Sequence, residues 1–288
     1  MKYQFIADHR QEFEISTMCR VLVVSRSGYY AWRKRPVSKR EMANRKLTEQ
    51  IEEIHQESRK TYGSPRIWVE LVKRGIRCGR HRVARLMRQA KLRAKQSRSF
   101  KVITTNSNHA YPVAPNLLAQ QFQASQPNET WLADITYIPT AQGWLYLAVV
   151  LDMYSRRIVG WAMADNLARW LPLAALHMAL EARQPEPGLL HHSDQGSQYA
   201  SDDYQAVLTT HQLRASMSRT GNCYDNAPLE SFFGTLKTEL VHHRLYHTRA
   251  EAKSDIFEFI EIFYNRFRRH SALHYLCPVD FEDLPISA

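Results

Sequence analysis

The sequence predicts an α/β fold with a mixed sheet in its C-terminal part and an all-α region in front of it. Three observations predict this. Up to about residue 93 the apolar residues recur at helical spacing with no alternating run. From about residue 119 three β-branched and aromatic runs are followed by alternating helices and strands. The charge divides in the same place: residues 1–110 hold 26 Lys and Arg against 9 Asp and Glu, and the remaining 178 hold 13 against 19.

Residues 13–34 read as a short amphipathic helix (Ile15, Met18, Cys19, Leu22), a turn from Ser25 to Gly28, and a second helix with Tyr29, Tyr30 and Trp32. This is a helix-turn-helix candidate, and plain helical packing explains it equally. Residues 44–93 predict three helices. Leu47, Ile51 and Ile54 mark the first, and Ile67 and Leu71 mark the second, after the break at Gly63 and Pro65. The third follows Gly79, with Val83, Leu86, Met87 and Ala90 on one side and Arg82, Arg85 and Arg88 on another. An apolar inner face under an arginine-rich outer face suits an element that lies on DNA, with a merely solvated basic face as the alternative. Residues 96–118 are polar and read as a linker.

Beyond the linker, TWLADITYIPT, WLYLAVVLDMYS and RRIVGWAMA predict three sequential strands. The helix WLPLAALHMALEARQ, the strand GLLHHSD, the helix DDYQAVLTTHQ and the short strand RASMS follow, then helices over about 227–242 and 249–270. The ribonuclease-H-like arrangement is one instance of such a layer fold. The expected division is a helical segment at 1–43, a basic helical DNA-binding unit at 44–95, the linker, and the core at 119–288.

The net charge of +11, concentrated at one end, points to a polyanionic partner, nucleic acid before all others, because each neutralised phosphate releases condensed counterions. A solvated basic surface is the bland alternative. No uninterrupted apolar stretch of membrane length occurs, and the N-terminus lacks the apolar run of a signal peptide, so a soluble cytoplasmic protein is expected. Four scattered cysteines with no CxxC pair suggest neither a zinc site nor a disulfide framework.

Three acids stand out. Asp134 lies inside an apolar strand, where a lone carboxylate is costly unless it is paired or binds a cation. Asp194 follows a strand at its carboxyl end, with Gly196 allowing a sharp exit. Glu230 falls in the first turn of a helix whose start is marked by Pro228, at the edge of a stripe formed by Leu229, Phe232, Phe233, Leu236 and Leu240. Brought together, three acids would repel one another unless divalent cations occupied the gap, and an all-oxygen set suits Mg2+ and in-line phosphoryl transfer. Pattern alone does not establish that they meet, since a chain with 28 acids offers many triples. His191 and His192 are read as strand residues flanking the site, because imidazole suits zinc better than magnesium. Asp152 and Asp225 are read as structural acids.

The stretches NLLAQQFQASQPNETWLADITYIPT, HHSDQGSQYAS, SMSRTGNCYDNAPLESFFGTLKTEL and YNRFRRHSALHYLCPVDF, in that order, resemble successive motifs of the insertion sequence three family of bacterial transposases. The resemblance is to the product of the element's second reading frame, and the region around YGSPRIW is similar to the helical module preceding the core in that family. Asp194 and Glu230 are separated by 35 residues, the D-D-35-E spacing shared with retroviral integrases. The resemblance implies a ribonuclease-H-like core with Asp134, Asp194 and Glu230 as catalytic metal ligands, Mg2+ as cofactor with Mn2+ able to substitute, and Lys237 touching DNA beside them. It implies DNA as partner, both element ends and target, and a homo-oligomer on that DNA. It also implies a role for the first reading frame's product, joined by a frameshift fusion, and a place at the bacterial nucleoid. A nuclease or integrase that only cuts, and a DNA-binding regulator with an inactive core, are the rival readings.

Overall fold

The structure, a computed structural model, describes residues 1–95, 111–219 and 223–285. Six helices come first: α1 (Lys2–Asp8), α2 (Ile15–Val21), α3 (Arg26–Lys34), α4 (Lys39–Glu57), α5 (Ser64–Lys73) and α6 (Arg80–Gln89). Helix α1 has no counterpart in the sequence reading, because Ile6 is its single buried residue and one anchor makes no periodicity. It closes a small cluster with Met18, Cys19 and Tyr29. Ser25 and Ser38 cap α3 and α4 by accepting from the backbone N–H groups of Gly28 and Glu41. Helices α4 to α6 enclose a second cluster of Leu47, Ile51, Ile54, Tyr62, Ile67, Leu71, Val83, Leu86 and Met87.

Residues 96–110 of the expected linker lie outside the described residues, and 111–118 form no helix or strand. The core follows as β1 (Thr130–Thr140), β2 (Gly143–Asp152), β3 (Ile158–Ala164), α7 (Trp170–Arg183), β4 (Leu190–Ser193), α8 (Asp202–Thr210), β5 (Arg214–Met217), α9 (Ala227–Glu239), α10 (Arg249–Glu258) and α11 (Pro278–Glu282). The sheet order is β3-β2-β1-β4-β5. Strands β1 to β3 form an antiparallel meander, while β4 and β5 run parallel to β1, so the sheet is mixed as predicted.

Strand alternation sorts the two faces. Trp131 and Ala133 pack with Ala148, Val150 and Val159 under α7 and α8. Leu132 packs with Leu147, Val149 and Leu151 under α9 and α10. Helix α7 presses so close at Gly160 that a Cβ there would stand 2.1 Å from the Ala175 carbonyl oxygen, so only glycine fits. The helix expected over 249–270 is interrupted: α10 ends at Glu258 and a π-helical stretch, Phe259–Tyr264, takes over, with Arg268 N–H donating to the Phe263 carbonyl at 2.7 Å. Apolar spacing could not reveal it, since buried Phe259, Ile260, Phe263 and Tyr264 fit a normal turn equally well. The preceding helix is also shorter than predicted, with α9 ending at Glu239 and a 3-10 turn over Val241–His243.

Candidate active site

Strand β4 is short, and that shortness builds the site. It pairs in parallel with the first residues of β1, ending on the pair Ala133 and Ser193. Asp134 and Asp194 are the next residue of each chain, so the two acids emerge side by side where the parallel pairing stops. Asp134 has the parity of Leu132 and thus belongs to the α9 face of the sheet. Helix α9 is moored there by Asn226, whose side-chain amide donates to the Ala133 carbonyl at 3.4 Å.

The geometry makes these acids interact. Burial pushes the Asp134 carboxyl well above the usual carboxylate range, the Asp194 charge pushes it further, and Glu230 adds to this. Opposing them are the Ile135 N–H, which donates to Asp134 Oδ1 at 2.7 Å, and the Lys237 ammonium. Asp194 Oδ1 accepts from the Gly196 N–H at 2.9 Å, and a Cβ on Gly196 would crowd that same oxygen at 2.9 Å. Glu230 is exposed on the first turn of α9, and partial desolvation raises its carboxyl. Two turns along, Lys237 lies over the Tyr137 ring at 4.9 Å from its centroid; burial lowers its ammonium, and Asp134 acts in the opposite sense.

Among the described residues no three His, Cys, Asp or Glu side chains already stand close enough to hold a metal ion. The donor set nevertheless fits a hard divalent cation: carboxylate oxygens only, with a buried member whose ionisation is opposed by its acidic neighbours. The histidines beside Asp194 belong to the core. His191 Nε2 meets the Tyr204 hydroxyl at 3.0 Å and His192 Nδ1 meets Ser216 Oγ at 2.9 Å. Burial lowers the two imidazoles to about 3 and about 4, so both are neutral at physiological pH.

Tyr199 had no signal in the sequence. It is buried among these groups, its hydroxyl lacks a hydrogen-bond partner among the described residues, and burial, Tyr204, Asp134 and Asp194 all raise it. Asp152 accepts backbone N–H donors from Asn128, Tyr154 and Ser155. Asp225 accepts from Arg219, Asn116 and Gln120. Both acids organise loops through these bonds. On α6, Arg85 and Arg88 are exposed, while Arg82 is half-buried and donates to Asn44 Oδ1 at 2.9 Å.

A mixed five-stranded sheet with Asp134 and Asp194 just beyond its parallel β1–β4 pair, behind a basic helical region, defines an integrase-core enzyme with a ribonuclease-H-like fold. The integrase core domain model matches residues 124–223, a second integrase core model matches 230–284, and an HTH-like domain model matches 42–100. The chain is 50% identical over 266 residues to the insertion element IS600 uncharacterized 31 kDa protein of Shigella sonnei, covering 92% of this chain and 97% of that one. It is 44% identical over 285 residues to transposase InsF for insertion sequence IS3A of Escherichia coli strain K12, covering 98% and 99%. A simian T-cell lymphotropic virus intasome chain is similar at 15% identity and a TM-score of 0.49, covering 81% of this chain and 74% of that one. The chain belongs to the insertion sequence three (IS3) family of transposases. No helix among its described residues is long and apolar enough to cross a membrane.

Proposed function

We propose that Asp134, Asp194 and Glu230 are the catalytic carboxylates of this transposase and hold magnesium, with manganese able to replace it. In this reading they cut DNA at the ends of an insertion element and join the freed 3′-hydroxyl to a second phosphodiester. The observation that supports this best is the position of Asp134 and Asp194, each one residue beyond the last parallel pair of β1 and β4, with Glu230 near enough for its charge to act on the Asp134 carboxyl. When bound, the metal supplies activation of the attacking hydroxyl and charge stabilisation at the leaving oxygen. The chain's own part is preorganisation. The N–H groups of Ile135 and Gly196 hold one oxygen each of Asp134 and Asp194, so these carboxylates reorganise little on meeting a cation. Lys237 takes a DNA phosphate beside them, and Tyr137 supports its chain from below.

In the same reading residues 44–95 bind DNA through Arg85 and Arg88 of α6, with Arg82 as a tethered third, and residues 119–288 carry the chemistry. The segment 1–43 precedes them as a further helical contact. The chain works as an oligomer on DNA in the bacterial cytoplasm, with the first reading frame's product joined to it as a frameshift fusion. The test is a labelled element-end duplex incubated with Asp134→Asn, Asp194→Asn and Glu230→Gln at matched folded concentration. Each should lose cleavage and joining by at least about a hundredfold while keeping DNA binding. Near-normal cleavage by any one of them would show that a different acid carries the reaction.

A further inference from the structure

On the flank of α9 that carries Ser231 and Thr235 lies a cavity of about 460 Å³, walled also by Arg66 of α5, Arg156 of the β2–β3 turn, and Arg268 and His270 beyond the π-helical stretch. Its charges do not balance. Arg268 gives Nε and Nη2 to the Glu239 carboxylate at 2.9 and 2.7 Å, and its Nη1 lies 3.5 Å from His270 Nε2. Arg66 reaches the same Glu239 at 3.9 Å. Arg156 donates Nη2 to the Phe122 carbonyl at 3.1 Å, while its Nη1 is buried without a partner among the described residues. The Asp152 carboxylate acts on Arg156 from a distance, but its oxygens are engaged by the turn's own N–H groups. Burial and the charges of Arg268, Arg66 and Arg156 hold His270 well below the usual imidazole range, as a positive field requires.

A buried guanidinium N–H with no acceptor among the described residues, on an arginine that lines the cavity with Arg66 and Arg268, the latter two sharing the single carboxylate of Glu239, is the complement of an oxyanion. Glu230, Ser231 and Gly234 are exposed along α9, and among the described residues nothing lies within 4 Å of a Cβ built on Gly234. We propose that this cavity is a phosphate-binding pocket, in which Arg156, Arg66 and Arg268 seat a backbone phosphodiester of the DNA strand that crosses α9 from the carboxylate site. This rests on the proposed function for the identity of the strand, though not for the chemistry of the pocket.

The experiment uses the full chain in EDTA, so that cleavage plays no part. Inorganic pyrophosphate is titrated at constant ionic strength with thermal stability as readout, and a short duplex is titrated against salt. The wild type should be stabilised by pyrophosphate. Arg156→Gln should bind pyrophosphate about tenfold more weakly, Arg66→Gln should weaken it in the same sense, and Arg156→Lys should retain part of the affinity. For the duplex, Arg156→Gln should lower the log–log salt slope by about 1. Equal stabilisation of wild type and Arg156→Gln by pyrophosphate, with matched circular dichroism, would overturn the pocket. Loss of pyrophosphate binding with unchanged duplex affinity and slope would overturn the DNA strand as its occupant and leave free phosphate. Because both arms omit metal, a failure of the carboxylate assignment would register only in the cleavage assay.

Discussion

Arg269 donates from Nε to the Glu70 carboxylate, and both side chains are about nine-tenths buried. Glu70 belongs to α5, and Arg269 lies just beyond the π-helical stretch, so this pair joins the basic helical module to the catalytic core. Around it the Tyr62 hydroxyl accepts from the Arg269 N–H at 2.8 Å and donates to the Phe267 carbonyl at 3.2 Å. The Phe267 ring packs against the clusters of both parts. The module is docked onto the core by a buried network.

Breaking that network should be costly. Arg269→Ala leaves Glu70 buried beside a lost charge and should cost about 3–5 kcal/mol in a urea melt, whereas Arg269→Met with Glu70→Leu should recover most of it. Deleting residues 1–95 should both flatten the salt dependence of DNA binding and destabilise the remaining core, since Phe267 and Arg269 lose their cover. A cost below about 1 kcal/mol for Arg269→Ala would mean that the module is loosely held.

Removing the charge of Asp134 should stabilise the protein in EDTA at neutral pH. Its buried carboxylate is repelled by Asp194 and Glu230, so Asp134→Asn relieves a repulsion that no cation is present to offset. A gain of 1 kcal/mol would raise Tm by about 2–4 °C in a chain of this size. Added Mg2+ should raise the wild-type Tm more than that of the variant, and Ca2+ should bind without supporting turnover. An Asp134→Asn variant less stable than wild type in EDTA would count against a cluster of repelling acids.

Arg85→Ala and Arg88→Ala should each weaken duplex binding and reduce its log–log salt slope by about 1. Arg82→Ala should act differently, because its guanidinium already ties α6 to Asn44 of α4. Loss of that bond should cost about 1 kcal/mol of stability. Salt titrations and melts on the same three variants separate the two effects.

Acid should unfold the protein partly through Asp225. The Arg219 side chain, with Gln120 and the Arg219 N–H, holds this buried carboxyl well below the usual range. Its folded pKa is therefore lower than its unfolded one. The stability it supplies is complete above about pH 4 and is lost as pH falls below that value. Asp225→Asn should lower Tm at pH 7 and flatten the acid limb of the Tm profile, and an unchanged limb would remove Asp225 from the account.

The isolated chain should discriminate poorly between element ends and random DNA, and its fusion with the first reading frame's product should discriminate strongly. A gel-shift competition checks this. A thousandfold preference for the ends by the isolated chain would refute it.

Local pattern by itself determined much of this protein. Runs rich in β-branched and aromatic residues identified β1 to β3, Pro228 marked the start of α9, and Asp134 announced itself as an acid where an apolar residue belonged. The division of charge marked the basic region, and the ordered motifs carried the family. These features depend on neighbours within a few residues along the chain, which a sequence displays directly. Only the tertiary structure decided that Ala133 and Ser193 pair last and so deliver Asp134 and Asp194 side by side. It alone buried Tyr199 against them, docked Glu70 on Arg269, and left a nitrogen of Arg156 without a partner among the described residues, on a side chain that lines a cavity with Arg66 and Arg268. The reason is physical: register, burial and charge pairing depend on distances between residues remote in sequence, and the strength of each interaction is set by how far folding removes its groups from water.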